Sequence, residues 1–401
     1  MIHVVVIKAI RACNLRCSYC YYINEDTPNY GMIISTETLK RLYAHLATYL
    51  AGRTDFAFVW HGGEPLLLGK RRFQAFLDLQ ADYFAPGQVR NVLQTNGVLV
   101  DQAWIDFFQR NQIFAGVSLD GTRDNHDQYR KTIKGRGTYD EVLNAVRLFQ
   151  ENGLHIGVIS VVHDGLDGAA SLRHFQDLGV AVADYLIPMT NNALQESDLA
   201  GDYGTFTDFA TIGSALTDAF QAWVKYPEPA IKVRLFEGLI QNAFGLEHGY
   251  LNAGSFDLSE NLILETNGDV CLDTDFWHID RFALGDQYHL QTNVHDPDFS
   301  FAAAEASLHA FVRAHHLDQL PDDCQRCKVR SICHASHPAS RFGADGTFNH
   351  RSAYCEAMYM LSEAVLDYVA DAGYTASLYD ADLRRAMTDQ GETRVLSKAA
   401  S

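Results

Sequence analysis

The chain has 401 residues, 47% of them hydrophobic and 20% charged, with a formal net charge of −18. That length holds one large domain or a large one plus a small one, and the balance is that of a folded globular protein. The acidity excludes general nucleic-acid and anionic-membrane binding, and no apolar run reaches the roughly 18 residues of a spanning helix.

Residues 1–10 are too short for a signal peptide and read as a strand. From there strand-like and helix-like segments alternate. Strands are expected at 2–9, 55–60, 90–94, 114–119, 155–162 and 182–188. Helices are expected at 36–50, 71–83, 101–109, 139–152 and 168–178, with Gly153 and Gly179 placed as stops. The pattern gives an α/β fold of parallel βα units, six of which build a partial (β/α)6 barrel of TIM type. Chemistry is expected at the C-terminal strand ends. Residues from Tyr203 to about Leu246 read as two helices broken by Pro227 and Pro229, a bridge to a second module.

Eight cysteines are grouped by spacing, which in a cytoplasmic chain means metal rather than disulfides, in a reducing, low-oxygen setting. Directly after the first strand, Cys13-Asn14-Leu15-Arg16-Cys17-Ser18-Tyr19-Cys20 packs three thiols into eight residues. A structural zinc site needs four protein ligands, so three suit a [4Fe–4S] cube with one iron left open. After the second strand comes His61-Gly62-Gly63-Glu64-Pro65, whose glycines admit a close backbone and whose Glu64 offers a carboxylate to an ammonium. Gln94-Thr95-Asn96-Gly97 and Ser118-Leu119-Asp120-Gly121 end the third and fourth strands with short polar side chains; each also reads as a turn cap. Arg130 follows, a cation for a ligand carboxylate or an exposed helix residue. Farther on, Cys324-x2-Cys327-x5-Cys333 and Cys355 supply four thiols, a pattern that a zinc ribbon shares.

The three-Cys loop together with Gly62-Gly63-Glu64 resembles the radical S-adenosylmethionine (SAM) enzymes. The resemblance implies a [4Fe–4S] cluster on Cys13, Cys17 and Cys20, with the amino and carboxylate groups of SAM on its open iron. It further implies SAM contacts from Tyr19, Gly62, Gly63, Glu64, Asn96, Ser118, Asp120 and Arg130. In that family one electron cleaves SAM to a 5′-deoxyadenosyl radical, which takes hydrogen from the substrate. An external flavodoxin- or ferredoxin-type donor is then a partner. Cys324, Cys327, Cys333 and Cys355 resemble the SPASM module and imply one auxiliary [4Fe–4S] cluster. Three departures from that module stand out: His337 replaces a close fourth Cys, Asp273 replaces the Cys five residues after Gly268 (with Cys271 two residues early), and 241–265 hold no Cys. A second auxiliary cluster is therefore expected to be absent, and whether Asp273, Cys271 or His337 touch metal stays open.

On this resemblance 1–200 is the radical SAM partial barrel, 201–249 the helical bridge, 250–375 the SPASM-type domain and 376–401 a C-terminal helix and tail. The nearest subgroup is the maturases of ribosomally made peptides that form three-residue cyclophanes. In these a β-carbon radical of a precursor peptide adds to an aromatic ring two residues away, and Asp273 is the candidate base for rearomatisation. Three alternatives stand beside it: an anaerobic sulfatase maturase that oxidises Ser or Cys to formylglycine, a peptide epimerase or thioether synthase, and a non-catalytic iron–sulfur scaffold.

Overall fold

The computed structural model describes residues 1–23, 27, 29–196, 208–225, 231–246, 261–272, 274–276, 279, 292–317 and 320–372. In chain order the elements begin β1 (Val4–Ile10), α1 (Thr36–Leu50), β2 (Phe56–Gly62), α2 (Lys70–Ala81), β3 (Val89–Thr95), α3 (Gln102–Asn111) and β4 (Ile113–Ser118). Then come α4 (Arg123–Tyr129), α5 (Tyr139–Glu151), β5 (Gly157–Val161), α6 (Gly168–Asp177), β6 (Val182–Leu186), α7 (Asn192–Gln195), α8 (Phe209–Val224), β7 (Lys232–Val233) and α9 (Arg234–Ala243). The last are β8 (Asn261–Leu264), β9 (Asp269–Cys271), β10 (Thr292–Asn293), α10 (Phe301–Val312), α11 (Asp322–Gln325), α12 (Arg330–Cys333) and α13 (Cys355–Asp371). This is the expected α/β class, six parallel strands each followed by helix.

The chain divides into two compact units that interleave along the sequence. The first comprises Met1–Leu119, Asp127–Ile156 and Leu258–Ala314. In it β1 through β4 pair in parallel in chain order, and β8 lies parallel on the other edge of β1. β9 and β10 extend this edge as antiparallel strands. Flanked on both sides, β1 is an almost wholly apolar run, as a central parallel strand must be. Its one charged residue is Lys8. Aromatic rings fill the space between the sheet and its helices: Trp60 meets Phe73 at 5.0 Å, and Phe108 stacks on Phe149 at 5.8 Å. The helix starts are set by capping oxygens, with Ser35 accepting from Thr38 N–H at 2.9 Å and Asp101 from Trp104 N–H at 2.7 Å.

The second unit comprises Asp120–His126, Gly157–Asp257 and His315–Ser401, and holds the parallel strands β5, β6 and β7. Helix α8 packs between α6 and α13 at very close range. A Cβ on Gly168 would fall 1.7 Å from the Ala215 carbonyl oxygen, and one on Gly213 would fall 2.8 Å from Ala357. Small residues are required there because helix backbones approach directly. Gly153 and Gly179 end α5 and α6 at positive φ, as expected.

Candidate active site and cluster centres

The three-Cys loop leaves the C-terminal end of β1 and is pinned by backbone bonds along its length. Arg16 N–H donates to the Lys131 carbonyl at 2.8 Å and Ser18 N–H to the Tyr129 carbonyl at 3.1 Å. On the other side Gly63 N–H reaches the Ile10 carbonyl and Glu64 N–H the Ala12 carbonyl, both at 2.8 Å. This explains the paired glycines in a way the sequence did not suggest. A Cβ on Gly63 would sit 2.0 Å from the Ala12 carbonyl oxygen, and one on Gly62 would sit 2.6 Å from that of Ile10. They admit the loop's own backbone.

Glu64 is fully buried and accepts three protein hydrogen bonds: from Leu66 N–H (3.0 Å), the Thr95 hydroxyl (2.8 Å) and Asn96 N–H (2.7 Å). Burial still raises its pKa, against those donors and the Arg130 charge. A carboxylate offers about four acceptor positions, so one remains for a bound ammonium. Asn96 ties the same corner to the loop, donating to the Asn14 side chain at 2.8 Å and approaching Cys13 Sγ at 3.8 Å. The Ser118 hydroxyl accepts from Gln94 at 3.0 Å. Arg130, 6% exposed, donates to the Tyr19 hydroxyl and lies over its ring. Cys13, Cys17, Cys20, Gly62, Gly63, Glu64, Asn96, Ser118, Arg130 and Tyr19 thus share the first unit. Asp120 belongs to the second, where its carboxylate accepts from Val161 N–H at 3.0 Å and faces His163 at 3.6 Å.

The thiols fit a cluster better than a single ion. Burial and then the Glu64 charge push Cys13 up to about 12, so it needs a cation to become a ligand. Backbone donors are already placed for sulfur, Leu15 N–H on Cys13 at 3.4 Å and Ile23 N–H on Cys20 at 3.3 Å. Among the described residues no three His, Cys, Asp or Glu side chains close on one point as a single ion requires. Three neighbouring thiols, with Cys17 and Cys20 acting on Cys13 through their charge, suit a cluster that keeps one iron open.

The second unit shows the same signature. Cys324 (α11), Cys327, Cys333 (the end of α12) and Cys355 (the start of α13) line one small cavity of about 30 Å³. Its walls include Val329, Ala335 and Tyr359. Burial pushes Cys324 to about 11 and Cys333 to about 12. After Cys333 the backbone turns left-handed for three successive non-glycine residues: His334 (φ 47°), Ala335 (φ 59°) and Ser336 (φ 59°). The turn closes through Ser336 N–H, which donates to the Cys333 carbonyl at 2.8 Å. His337 is engaged locally: its Nδ1 accepts from Ala339 N–H at 3.2 Å and caps the turn Pro338–Arg341. Cys271, on β9, belongs to the first unit and not to this quartet.

One polar constellation was missed. Lys8, 2% exposed, donates to the Tyr21 hydroxyl at 2.8 Å and lies 4.9 Å from the Tyr22 ring centre. The Tyr22 hydroxyl donates to Glu265 at 3.0 Å. Burial holds Asp275 up to about 6, with Lys8 opposing, and burial then Lys8 lower His61 to about 3. A lone lysine in an apolar central strand was the available signal. Asp273, the expected base, lies outside the described residues.

Residues 7–175 match a sequence model of the Radical SAM superfamily. The serine-type anaerobic sulfatase-maturating enzyme of Bacteroides thetaiotaomicron is 26% identical over 388 residues, covering 91% of this chain and 90% of that protein. The cysteine-type enzyme of Clostridium perfringens is 24% identical over 358 residues, 87% of this chain and 92% of that one. Among solved structures, anSMEcpe with bound AdoMet superposes with a TM-score of 0.77 at 20% identity, covering 94% of this chain and 98% of that one. Streptococcus suis SuiB bound to its precursor peptide SuiA gives 0.60 at 14%, covering 89% and 76%.

Proposed function

We propose, from the premise that residues 7–175 are a radical SAM domain, that the chain is an enzyme that oxidises a side chain of a peptide segment at its β-carbon. The favoured outcome is a two-electron oxidation of the formylglycine-forming kind. The near full-length likeness to serine- and cysteine-type sulfatase maturases supports this over the cyclophane crosslink expected from sequence. The observation that carries the reading is one unit holding the three-Cys loop, the three-donor Glu64 and a half-buried acid, Asp275, whose pKa is raised to about 6.

Loaded on Cys13, Cys17 and Cys20 with SAM, a [4Fe–4S] cluster would supply the 5′-deoxyadenosyl radical, and one on Cys324, Cys327, Cys333 and Cys355 a one-electron acceptor. The chain's own residues bind, orient and exclude. Glu64 takes the SAM ammonium on its remaining lone pair. Arg130, held by Tyr19, takes the carboxylate, and Asn96 and Ser118 offer polar contacts at the strand ends. Asp120 is assigned to fixing the end of β5 rather than to SAM. Oxidation of a serine side chain removes one hydrogen atom from carbon, then one electron and the hydroxyl proton, leaving an aldehyde. Asp275 as carboxylate accepts that proton, and neutral His61 and the Lys8 cation keep its surroundings polar but dry. Partners are the peptide segment and an external one-electron donor of flavodoxin or ferredoxin type.

The cyclophane reading is the second, favoured by the cysteine set: His337 and Asp273 stand at two ligand positions, leaving thiols for a single auxiliary cluster. One experiment separates the two. Reduced, iron-reconstituted protein with SAM is given a sulfatase-type Ser or Cys peptide and, separately, the short peptide encoded beside its gene. An aldehyde trapped by a hydrazide reagent supports oxidation. Loss of two hydrogens without trapping, and with fragmentation suppressed across an aromatic-x-x segment, replaces it by crosslinking. SAM cleavage with both peptides untouched rejects both.

A further inference from the structure

We propose that Arg341 is a potential-setting residue: its guanidinium donates to the iron–sulfur cluster of Cys324, Cys327, Cys333 and Cys355 and holds its reduction potential up. The inference rests on reading that quartet as a cluster site.

Arg341 ends the short turn Pro338–Arg341 and is 0% exposed. A guanidinium does not lose its proton in a protein, so a full positive charge is buried here. One nitrogen, Nη2, donates to the His315 carbonyl. The other two, Nε and Nη1, are buried with no acceptor among the described residues. An uncompensated buried cation with two idle nitrogens, three N–H groups in all, is strongly unfavourable, so a native site that keeps one must provide an anion. The groups whose charge acts on Arg341 are the sulfurs of Cys324 and Cys333 and the Tyr354 phenol, and Arg341 acts in return on Cys324. An iron–sulfur cluster on these four thiols would supply the acceptors that Nε and Nη1 lack. Four thiolates around an iron–sulfur cube leave it net negative in either oxidation state. Its sulfurs are acceptors, and the planar fork of a guanidinium presents several N–H groups to them at once.

The surroundings magnify the effect. Val329 and Ala335 wall the cavity with apolar atoms, so a charge beside it is weakly screened. Adding an electron makes the cluster more negative, so a fixed cation and N–H···S donors stabilise the reduced form more than the oxidised one. Arg341 therefore makes the auxiliary centre a better electron acceptor than the same four thiols would be in an apolar cavity.

The test uses the full chain with Cys13, Cys17 and Cys20 all replaced by Ala, so that any iron reports the quartet alone. Its midpoint potential is followed by EPR-monitored titration, and Arg341→Met and Arg341→Lys are compared with this parent. The expected result for Arg341→Met is at least a tenfold drop in the reduced-to-oxidised ratio at fixed potential, a shift of about −59 mV for a one-electron couple. Arg341→Lys, which keeps the charge, should lose less than half of that. An unmoved potential in fully iron-loaded Arg341→Met overturns the proposal. Should Arg341→Met fail to hold iron, the parent labelled with 15N-arginine decides. Hyperfine coupling between the reduced cluster and an arginine nitrogen supports direct donation, and its absence overturns it. A parent that binds no iron overturns the cluster reading and this inference together, whereas iron with an unmoved potential overturns only the latter.

Discussion

The two thiol sites are built alike in one respect and oppositely in another. Both bury sulfur until the thiols sit far above their ordinary pKa, though backbone N–H donors reach sulfur directly in the three-Cys loop. Beside Cys13, however, the strongest neighbouring charge is the carboxylate of Glu64, whereas Cys324 and Cys333 have the guanidinium of Arg341. A negative neighbour opposes added electrons and a positive one favours them, so on the proposed reading a cluster on the quartet would be the easier of the two to reduce. The sites also differ in completeness. Three thiols leave one coordination position for a ligand, while four close it.

The sharpest way to break this comparison is to remove the open site. With Cys13, Cys17 and Cys20 all changed to Ala, SAM cleavage should fall to the level of a sample without protein, while about four irons per chain remain on the quartet. Turnover that survives the change would leave the central reading without a basis. Next, Cys355→Ala should strip the quartet of its iron but leave SAM cleavage in the absence of peptide intact. If cleavage collapses as it does in the triple variant, the two sites are not separable.

Glu64→Gln should weaken SAM binding about 10- to 100-fold, the ~1.5–3 kcal/mol of a charge-assisted bond, as read by equilibrium dialysis. Its auxiliary iron should be unchanged. For Asp275 the sign matters. Its folded pKa of about 6 lies above the ordinary aspartate value of ~3.9, so the folded chain holds this proton more tightly than the unfolded one. Between those two pH values the contribution to stability therefore falls as pH rises, and Asp275→Asn should flatten that decline in urea titrations. As a base, the carboxylate exists only above pH about 6. Peptide oxidation at saturating SAM should rise toward a plateau there, and the variant should lose both the plateau and the slope. The smallest effect belongs to Cys271→Ala, which should leave the iron count where it was.

What was legible in the sequence was what depends on short spacing. Cys13–Cys20, Gly62-Gly63-Glu64 and the Cys324–Cys333 run carry their geometry within a loop, so reading residues in order reads the site. The strand and helix alternation was legible for the same reason, with predicted ends within a few residues of the observed ones. Charges whose meaning is burial were not legible. Nothing local to Lys8, Asp275 or Arg341 says how far each is covered; strands and turns distant in sequence cover them. The glycines of the second motif were right for an incomplete reason, because the atoms they admit belong to Ile10 and Ala12, some fifty residues away. Asp120 read as a SAM contact from its place at a strand end; its bond from Val161 N–H and its approach to His163 were not legible, because those partners lie some forty residues on.

The left-handed run His334–Ala335–Ser336 carries a consequence for stability. Each L-residue in that conformation costs roughly 1–2 kcal/mol, so the three together cost roughly 3–6, a large share of what keeps an ordinary domain folded. The turn closes on the Cys333 carbonyl and fixes where the Cys333 thiol stands in the quartet, so on the proposed cluster reading iron on that thiol would offset its cost. Iron that binds only the folded chain adds stability by mass action, and iron that is withdrawn returns the turn to its relaxed, protease-accessible forms. On the reading of the quartet as a cluster site, iron content and resistance to proteolysis should therefore rise together.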